Sequence, residues 1–212
     1  MLLQQIRAAA DQYRAIIEGS ERPNGPLSRT ELFSYRIAML DSEIARPLII
    51  WLYEPEQNDI SQEDKDRTLE ILESWLVRRA LVKAPTQGMN RLIPDMIRYL
   101  KAQPRDSLPN ALQHFLAYNG TPHGYWPSDQ EVRNALVGAK AYARYRRMRL
   151  RMVLEALEDA KRGYPQGKQL AMGPVVRSKG TIEHLMPQGW RKNWPEPETE
   201  ELALARDEAM HE

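Results

Sequence analysis

The residues best suited to chemistry lie near the C-terminal end of the chain, where Glu183 is followed directly by His184. The pair follows the β-branched step Thr181-Ile182, and Pro187 interrupts the chain shortly afterwards. On an extended segment neighbouring side chains point to opposite faces, so the two residues can perform different tasks. A carboxylate can hold a divalent cation, and a histidine can accept a proton near neutral pH. The pair therefore indicates a site for metal-assisted proton transfer.

A Glu-His pair is weak evidence by itself, because such residues often meet by chance on a solvated surface. The flanking residues make it specific: the chain reads Thr-Ile-Glu-His-Leu-Met-Pro-Gln from Thr181 to Gln188, followed by Trp190. This stretch resembles the first half of the HNH nuclease motif in the C-terminal domain of GmrSD-type, modification-dependent restriction endonucleases. The order of features before it, including Trp126-Pro127-Ser128-Asp129, is similar to the helical part of the same domain.

The resemblance implies a role for each residue of the pair. Glu183 would bind a divalent metal ion, Mg²⁺ or Mn²⁺, through a carboxylate oxygen. His184 would be the general base that takes a proton from the water attacking a DNA phosphodiester. The metal ion would stabilise the charge that develops on the scissile phosphate. No further cofactor is expected.

The motif of this family normally continues with a Gly-Asn-Leu-Thr-Leu-like segment and a helix that bears another Asn or His. Neither is recognisable between Trp190 and Glu212, because Asn193 lies too near His184 to be the matching Asn and His211 stands at the end of the sequence. One carboxylate alone does not hold Mg²⁺ tightly. We therefore expect a truncated HNH endonuclease domain that is inactive alone or completed by another chain. The resemblance also implies a separate nucleotide-hydrolysing N-terminal domain or subunit. It further implies DNA as the partner, with modified or phage DNA as the candidate target in antiviral defence.

Cationic residues near the motif and upstream of it are candidates for contacts with DNA phosphates: Lys179, Arg191 and Lys192 beside the motif, and Arg144, Arg147 and Arg151 in an arginine cluster. Such side chains supply affinity without reading the base sequence. The arginine cluster precedes Glu155, Glu158 and Asp159 on the same predicted helix, which equally favours ion pairing within the protein. Both interpretations stand, and a solvated surface is the alternative for the three residues beside the motif.

The elements that must position these residues are predicted to be mainly α-helical. Up to residue 163, apolar residues recur at helical spacing. Three serines, Ser28, Ser61 and Ser128, each precede an acidic residue three positions later, which is typical of a capped helix start. The last long helix is predicted from about Lys140 to Arg162.

After Gly163 the composition changes, because proline and glycine interrupt the helical pattern. The steps Val175-Val176 and Thr181-Ile182 predict a short β-hairpin, which would begin the ββα-metal unit of an HNH nuclease. A final helix is predicted from Glu198 to Met210. We therefore expect a multi-helical domain over residues 1–163 and a partial HNH motif over residues 164–212, packed together as one unit.

Composition limits the other possibilities. The 212 residues carry a formal net charge of +1 and include no cysteine, which excludes disulfides, thiolate zinc sites and cysteine nucleophiles. No apolar run reaches the roughly 20 residues that cross a bilayer, and the N-terminus lacks a signal-peptide pattern. These features predict a cytoplasmic protein without a membrane partner. Two alternatives to the nuclease stay open: a non-enzymatic DNA-binding or protein-interaction module that retains a vestigial Glu-His motif, and a helical scaffold unrelated to nucleic acid.

Overall fold

A computed structural model describes residues 2–22, 25–54, 59–118, 124–137, 141–163, 175–177, 182, 189–194 and 197–211. Regular structure within these ranges is helical, which confirms the predicted class. The α-helices are α1 (Leu2–Ser20), α2 (Arg29–Met39), α3 (Arg46–Leu52), α4 (Gln62–Val82), α5 (Met89–Lys101), α6 (Leu108–Tyr118), α7 (Asp129–Val137), α8 (Ala141–Arg144), α9 (Arg147–Lys161), α10 (Trp190–Asn193) and α11 (Glu200–His211). Short 3₁₀ turns occupy Glu43–Ala45 and Arg105–Ser107. None of the described helices is long and apolar enough to cross a membrane.

Helix α4 lies at the centre of the fold, because it packs against α2, α6 and α7. Its residues Leu69, Leu72 and Trp75 are completely buried and follow one another at three-residue spacing. This spacing keeps the three side chains near one face of the helix. They join one large apolar core with buried residues of α2, α3, α5, α6 and α9. The core therefore depends on α4 as its common support.

The serine start signals are confirmed. Ser28 and Glu31 form a reciprocal capping box at α2, and the Ser61 side chain accepts a hydrogen bond from the Asp64 backbone N–H. At α7 the Glu131 backbone N–H donates to Ser128 Oγ at 3.3 Å, and the Ser128 backbone N–H donates to Glu131 Oε2 at 2.9 Å. Hydrogen bonds from the Tyr125 hydroxyl and from Ser128 lower the pKa of Glu131. These caps show that local polar pairs set the helix starts.

The single long helix predicted from about Lys140 to Arg162 is wrong in one respect, because it is divided into α8 and α9. Between them Arg146 adopts an extended backbone conformation, with φ −62° and ψ 145°. The Tyr145 ring is buried, and its hydroxyl donates to the Leu81 carbonyl at 2.9 Å. The break thus accompanies the insertion of Tyr145 against the end of α4.

The predicted β-hairpin is not supported, because the described residues contain no strand and Val175–Arg177 belong to no regular element. The Val175 backbone N–H donates instead to Asp159 Oδ1 at 3.2 Å. This segment is therefore held by a carboxylate of α9 rather than by a strand partner. Residues 178–181 of the predicted hairpin lie outside the described residues. The predicted C-terminal helix is confirmed as α11.

Helix α4 also holds the segment that precedes α7. Its side chains bond to three nearby carbonyls: Trp75 Nε1 donates to Gly124 at 3.3 Å, Arg79 Nη1 to Tyr125 at 2.6 Å and Arg78 Nη1 to Pro127 at 3.2 Å. Arg78 additionally forms an ion pair with Asp129, the first residue of α7. The C-terminal part of the chain is thus connected to the core through donors on α4.

We predict that a fragment of residues 124–212 does not fold by itself. Without α4 it lacks these three donors and the apolar surface against which α7 packs. Its far-UV circular dichroism should change gradually with urea, while the full chain should unfold cooperatively. A cooperative transition in the fragment would contradict the supporting role of α4.

Candidate functional site

The predicted catalytic pair, Glu183 and His184, lies outside the described residues, as does Lys179. The residue directly before the pair, Ile182, is described and is partly buried. It packs against a small apolar cluster formed by Leu81, Tyr145 and Leu150. The structure therefore brings the start of the motif to the end of α4 and the beginning of α9.

Asp159 of α9 anchors the segment that leads to the motif. Arg177 forms an ion pair with Asp159, and the two side chains are only 2% and 1% exposed. Arg177 Nη1 also donates to the Val175 carbonyl at 3.1 Å, and the Asp159 carboxylate accepts from the Val175 backbone N–H. One carboxylate thus holds both the backbone and the cationic side chain of this segment.

A second buried carboxylate, Glu73 of α4, connects Asp159 to the core. Glu73 forms ion pairs with Arg29 and Arg36 of α2, the latter at 2.5 Å. Arg36 extends its other nitrogen, Nη2, to 3.8 Å from Asp159 Oδ2. The charges on α2, α4, α9 and residues 175–177 therefore form a continuous network, which we call the buried ion-pair network (Arg29, Arg36, Glu73, Asp159 and Arg177).

Tyr35 extends this network along α9. Its hydroxyl donates to Glu155 Oε2 at 2.7 Å, and Arg151 Nε donates to Glu155 Oε1 at the same distance. The Arg177 guanidinium lies over the Tyr35 ring, 5.6 Å from its centroid. Burial and the hydrogen bond to Glu155 raise the pKa of Tyr35, so its hydroxyl stays protonated as a donor.

The structure separates the cations that the sequence grouped together. Arg151 is engaged by Glu155, while Arg147 is exposed at the first turn of α9. Arg144 Nε donates to the Tyr145 hydroxyl at 3.2 Å, and its guanidinium lies over the Tyr145 ring. Lys192 is exposed in α10, which also contains Arg191, whose side chain is not described. For each of these residues, contact with DNA stays a prediction.

A groove beside the motif runs between α4, α7 and α9, with a volume of about 570 Å³. Val77, Leu81, Val132 and Val153 line it, and the same residues belong to or surround the cluster that Ile182 joins. Arg78, Asp129 and Arg133 add charged groups. No group of three or more His, Asp or Glu residues within the described ranges could hold a metal ion. The groove therefore offers an apolar concave surface rather than a set of metal ligands.

The anchoring role of Arg177 was missed from the sequence. Nothing in its local sequence distinguishes Arg177 from a solvated arginine, because its burial depends on Asp159, 18 positions earlier. Asp159 itself was interpreted as an acid that pairs along its own helix. The sequence feature that could have indicated its burial is its position directly after two valines, in a segment without helical spacing.

We predict that Asp159→Ala lowers the free energy of unfolding by about 3–5 kcal/mol, because it leaves Arg177 buried without its counter-charge. Glu158→Ala is a matched control on the neighbouring residue, where a half-exposed carboxylate pairs with Arg162 one turn away. It should cost less than about 1 kcal/mol. Urea denaturation monitored by circular dichroism measures both values, and similar costs would contradict the anchoring role of Asp159.

Comparison with known proteins gives one match. Residues 126–209 match the family of GmrSD restriction endonucleases, C-terminal domain. No curated protein and no solved structure matches the chain. The matched range begins at the segment held by α4 and includes Asp159, Arg177 and the Glu183-His184 pair. Residues 126–209 of this chain are thus similar to the C-terminal domain of the GmrSD restriction endonucleases.

Proposed function

We propose that this chain provides part of a restriction endonuclease that hydrolyses DNA phosphodiester bonds with the help of a divalent metal ion. The main support is that the family match contains Glu183-His184, the one carboxylate–histidine pair that resembles the HNH motif. The described fold adds that the residue before this pair is packed against the core. The motif and its attachment thus support the proposed activity, and the family match supports DNA as the proposed substrate.

His184 is the proposed general base, since histidine is the side chain whose ordinary pKa lies closest to neutrality. It would accept the proton of the water molecule that attacks the phosphorus atom. Glu183 is the proposed ligand of Mg²⁺ or Mn²⁺, which when bound would stabilise negative charge on the phosphate. Assigning different tasks to adjacent residues requires that the backbone between them hold the two side chains apart.

The metal site is not complete on Glu183 alone. Mg²⁺ dehydrates reluctantly and is usually held by more than one carboxylate or phosphate anchor. Outside Glu183, the described residues offer no cluster of acids and histidines for this purpose. We propose that a second anchor comes from the DNA or from another polypeptide segment, and we expect no cleavage by residues 1–212 alone.

Contacts of the segment before Glu183-His184 support the view that this pair belongs to a site rather than to a solvated surface. Arg177 is fixed to α9 through Asp159, and Ile182 is fixed to the apolar cluster at the end of α4. Only residues 178–181 separate these two anchor points. Both anchor points lie within six residues of Glu183 in the sequence. Lys192 and Arg147, both exposed, are available for phosphate contacts.

We predict cleavage of plasmid DNA in Mn²⁺ when the chain is joined to the Asn-bearing segment that normally follows in the family. His184→Ala should reduce the cleavage rate by about 10²–10⁴-fold, because it removes the general base. The matched control is His114→Ala, which changes an exposed histidine of α6 and should leave the rate unchanged. Circular dichroism checks that both variants keep their helical content.

Other outcomes separate the alternatives. If the extended chain is folded, binds no Mn²⁺ and cuts nothing, the endonuclease proposal fails. Binding to DNA at low salt without cleavage would indicate a DNA-binding module that retains the motif. Absence of DNA binding even at low salt, where phosphate contacts are strongest, would indicate a scaffold unrelated to nucleic acid.

A further inference from the structure

A basic pocket separate from the apolar groove lies between the end of α4 and the start of α9, with a volume of about 450 Å³. This volume falls within the range of small-molecule sites. Cationic side chains dominate its lining: Arg79, Lys83, Arg144, Arg146 and Arg149. Among its described lining residues, Asp41 is the single carboxylate. The pocket therefore carries a concentrated positive charge on a chain whose net charge is close to zero.

Arg79 near the end of α4 and Arg149 near the start of α9 are oriented by backbone carbonyls. Arg79 donates to the carbonyls of Tyr125 at 2.6 Å and Pro85 at 2.5 Å, and Arg149 donates to those of Ala80 at 3.2 Å and Leu40 at 3.3 Å. A carbonyl acceptor fixes the direction of a guanidinium but does not neutralise it. Among the described residues, no carboxylate forms an ion pair with either arginine, and the carbonyls hold both guanidiniums in a defined orientation.

Burial makes this arrangement costly for Arg79, which is only 3% exposed. Its contact with the Trp75 ring, 5.1 Å from the guanidinium carbon, offsets part of the cost. The Nε atoms of Arg79 and Arg149 are nevertheless buried without a hydrogen-bond partner. Desolvation lowers the pKa of Arg79. A buried cation without a counter-charge is unfavourable, so an anion in the pocket would relieve the cost.

The remaining cations lie around the same pocket. Lys83 ends α4 with a left-handed backbone, φ 59°, and is exposed. Arg144 is held against the Tyr145 ring. Arg146 pairs with Asp41 at 2.8 Å, and both side chains are largely exposed. In the described part of the chain, Arg146 is the one cation of this pocket with an ion pair to a carboxylate.

We propose that this pocket binds a phosphate group. Arginine guanidiniums match phosphate oxygens with paired N–H donors, and a lysine adds a compact positive charge. The hydroxyls of Ser42 and Thr86, which also line the pocket, provide neutral donors. The phosphate can belong to a DNA backbone or to a free nucleotide. None of the described residues that line the pocket is assigned to catalysis, so the pocket does not depend on the catalytic proposal.

The pocket and Ile182, at the start of the motif, both contact the C-terminal end of α4. Ala80 and Lys83 line the pocket, while Leu81 between them belongs to the cluster that Ile182 joins. Tyr145 connects the same two places, since it belongs to that cluster and lies beneath Arg144. A phosphate bound in the pocket is therefore held by the same helix end that supports the residue before Glu183.

The test measures phosphate binding by the full chain and by the double variant Lys83→Gln/Arg144→Gln. Isothermal titration calorimetry measures the affinity for inorganic pyrophosphate and for dAMP, which represent a free phosphate ligand. Fluorescence anisotropy measures the affinity for a short DNA duplex at low salt, which represents the DNA backbone. The double variant should weaken binding at least about tenfold and reduce the slope of affinity against salt by about two. Arg79 and Arg149 are left in place because their carbonyl bonds support the fold.

The matched control is Arg67→Gln/Lys101→Gln, which removes the same charge from exposed positions outside the pocket. It should change affinity less than about twofold. Weakened pyrophosphate and dAMP binding identifies a free phosphate as the ligand, and weakened duplex binding alone identifies the DNA backbone. The proposal is overturned if the native chain binds none of the probes, or if the control weakens binding as much as the pocket variant. Urea midpoints check folding, with Lys83→Gln alone as the milder variant.

His184→Ala separates this proposal from the catalytic one, because it should leave the affinity for pyrophosphate and for dAMP unchanged. Loss of phosphate binding in that variant, with the fold intact, would contradict a pocket independent of the motif.

Discussion

The bridge made by Arg36 between Glu73 and Asp159 is the interaction on which the rest of the arrangement depends. Three secondary-structure elements and the segment before the motif meet there as charged groups with little access to water. Removing one partner from such a group leaves a buried charge unpaired, which disfavours arrangements of α2, α4 and α9 that separate these residues. The buried ion-pair network thereby connects residues 175–177 to α9 and, through Arg36, to α2 and α4.

The dependence of the family-matched region on α4 follows from the same geometry. Residues 126–209 match the family, but the segment at the start of this range is held from outside it. Arg78 bonds to Pro127 within the range, while Trp75 and Arg79 bond to the two residues just before it. The boundary of sequence similarity is therefore not a boundary of packing. Helix α4 serves three sites along its length: Glu73 joins the ion-pair network, Leu81 supports Ile182, and Arg79 with Lys83 enters the basic pocket.

Local features of the fold could be predicted from the sequence, and long-range ones could not. The caps at Ser28 and Ser128 are made by residues three positions apart, so a short pattern contains all the information. The break at Tyr145 depends on the Leu81 carbonyl, and the burial of Arg177 depends on Asp159, so no window of neighbouring residues reveals either. The hairpin prediction failed for the same reason, since β-branched steps indicate extended backbone but do not specify its partner.

The arginine cluster shows how one composition can serve several purposes. Arg151 contributes to the interior through Glu155, Arg149 joins the ends of α2 and α4 through their carbonyls, and Arg147 faces solvent. Sequence alone could not divide these roles, because they depend on which face of α9 meets α2 and α4. Each arginine of the cluster therefore has to be assigned separately to pairing within the protein or to contact with phosphate.

The central claim is that Glu183 binds a metal ion at a place supported by the end of α4. Paramagnetic broadening of methyl resonances by Mn²⁺ tests it most directly, because even weak binding relaxes nearby nuclei. The account predicts selective broadening of Ile182 and of its neighbours Leu81 and Leu150, which is lost in Glu183→Gln. Broadening that is unchanged in Glu183→Gln, or that appears only at other acidic surfaces, would contradict it.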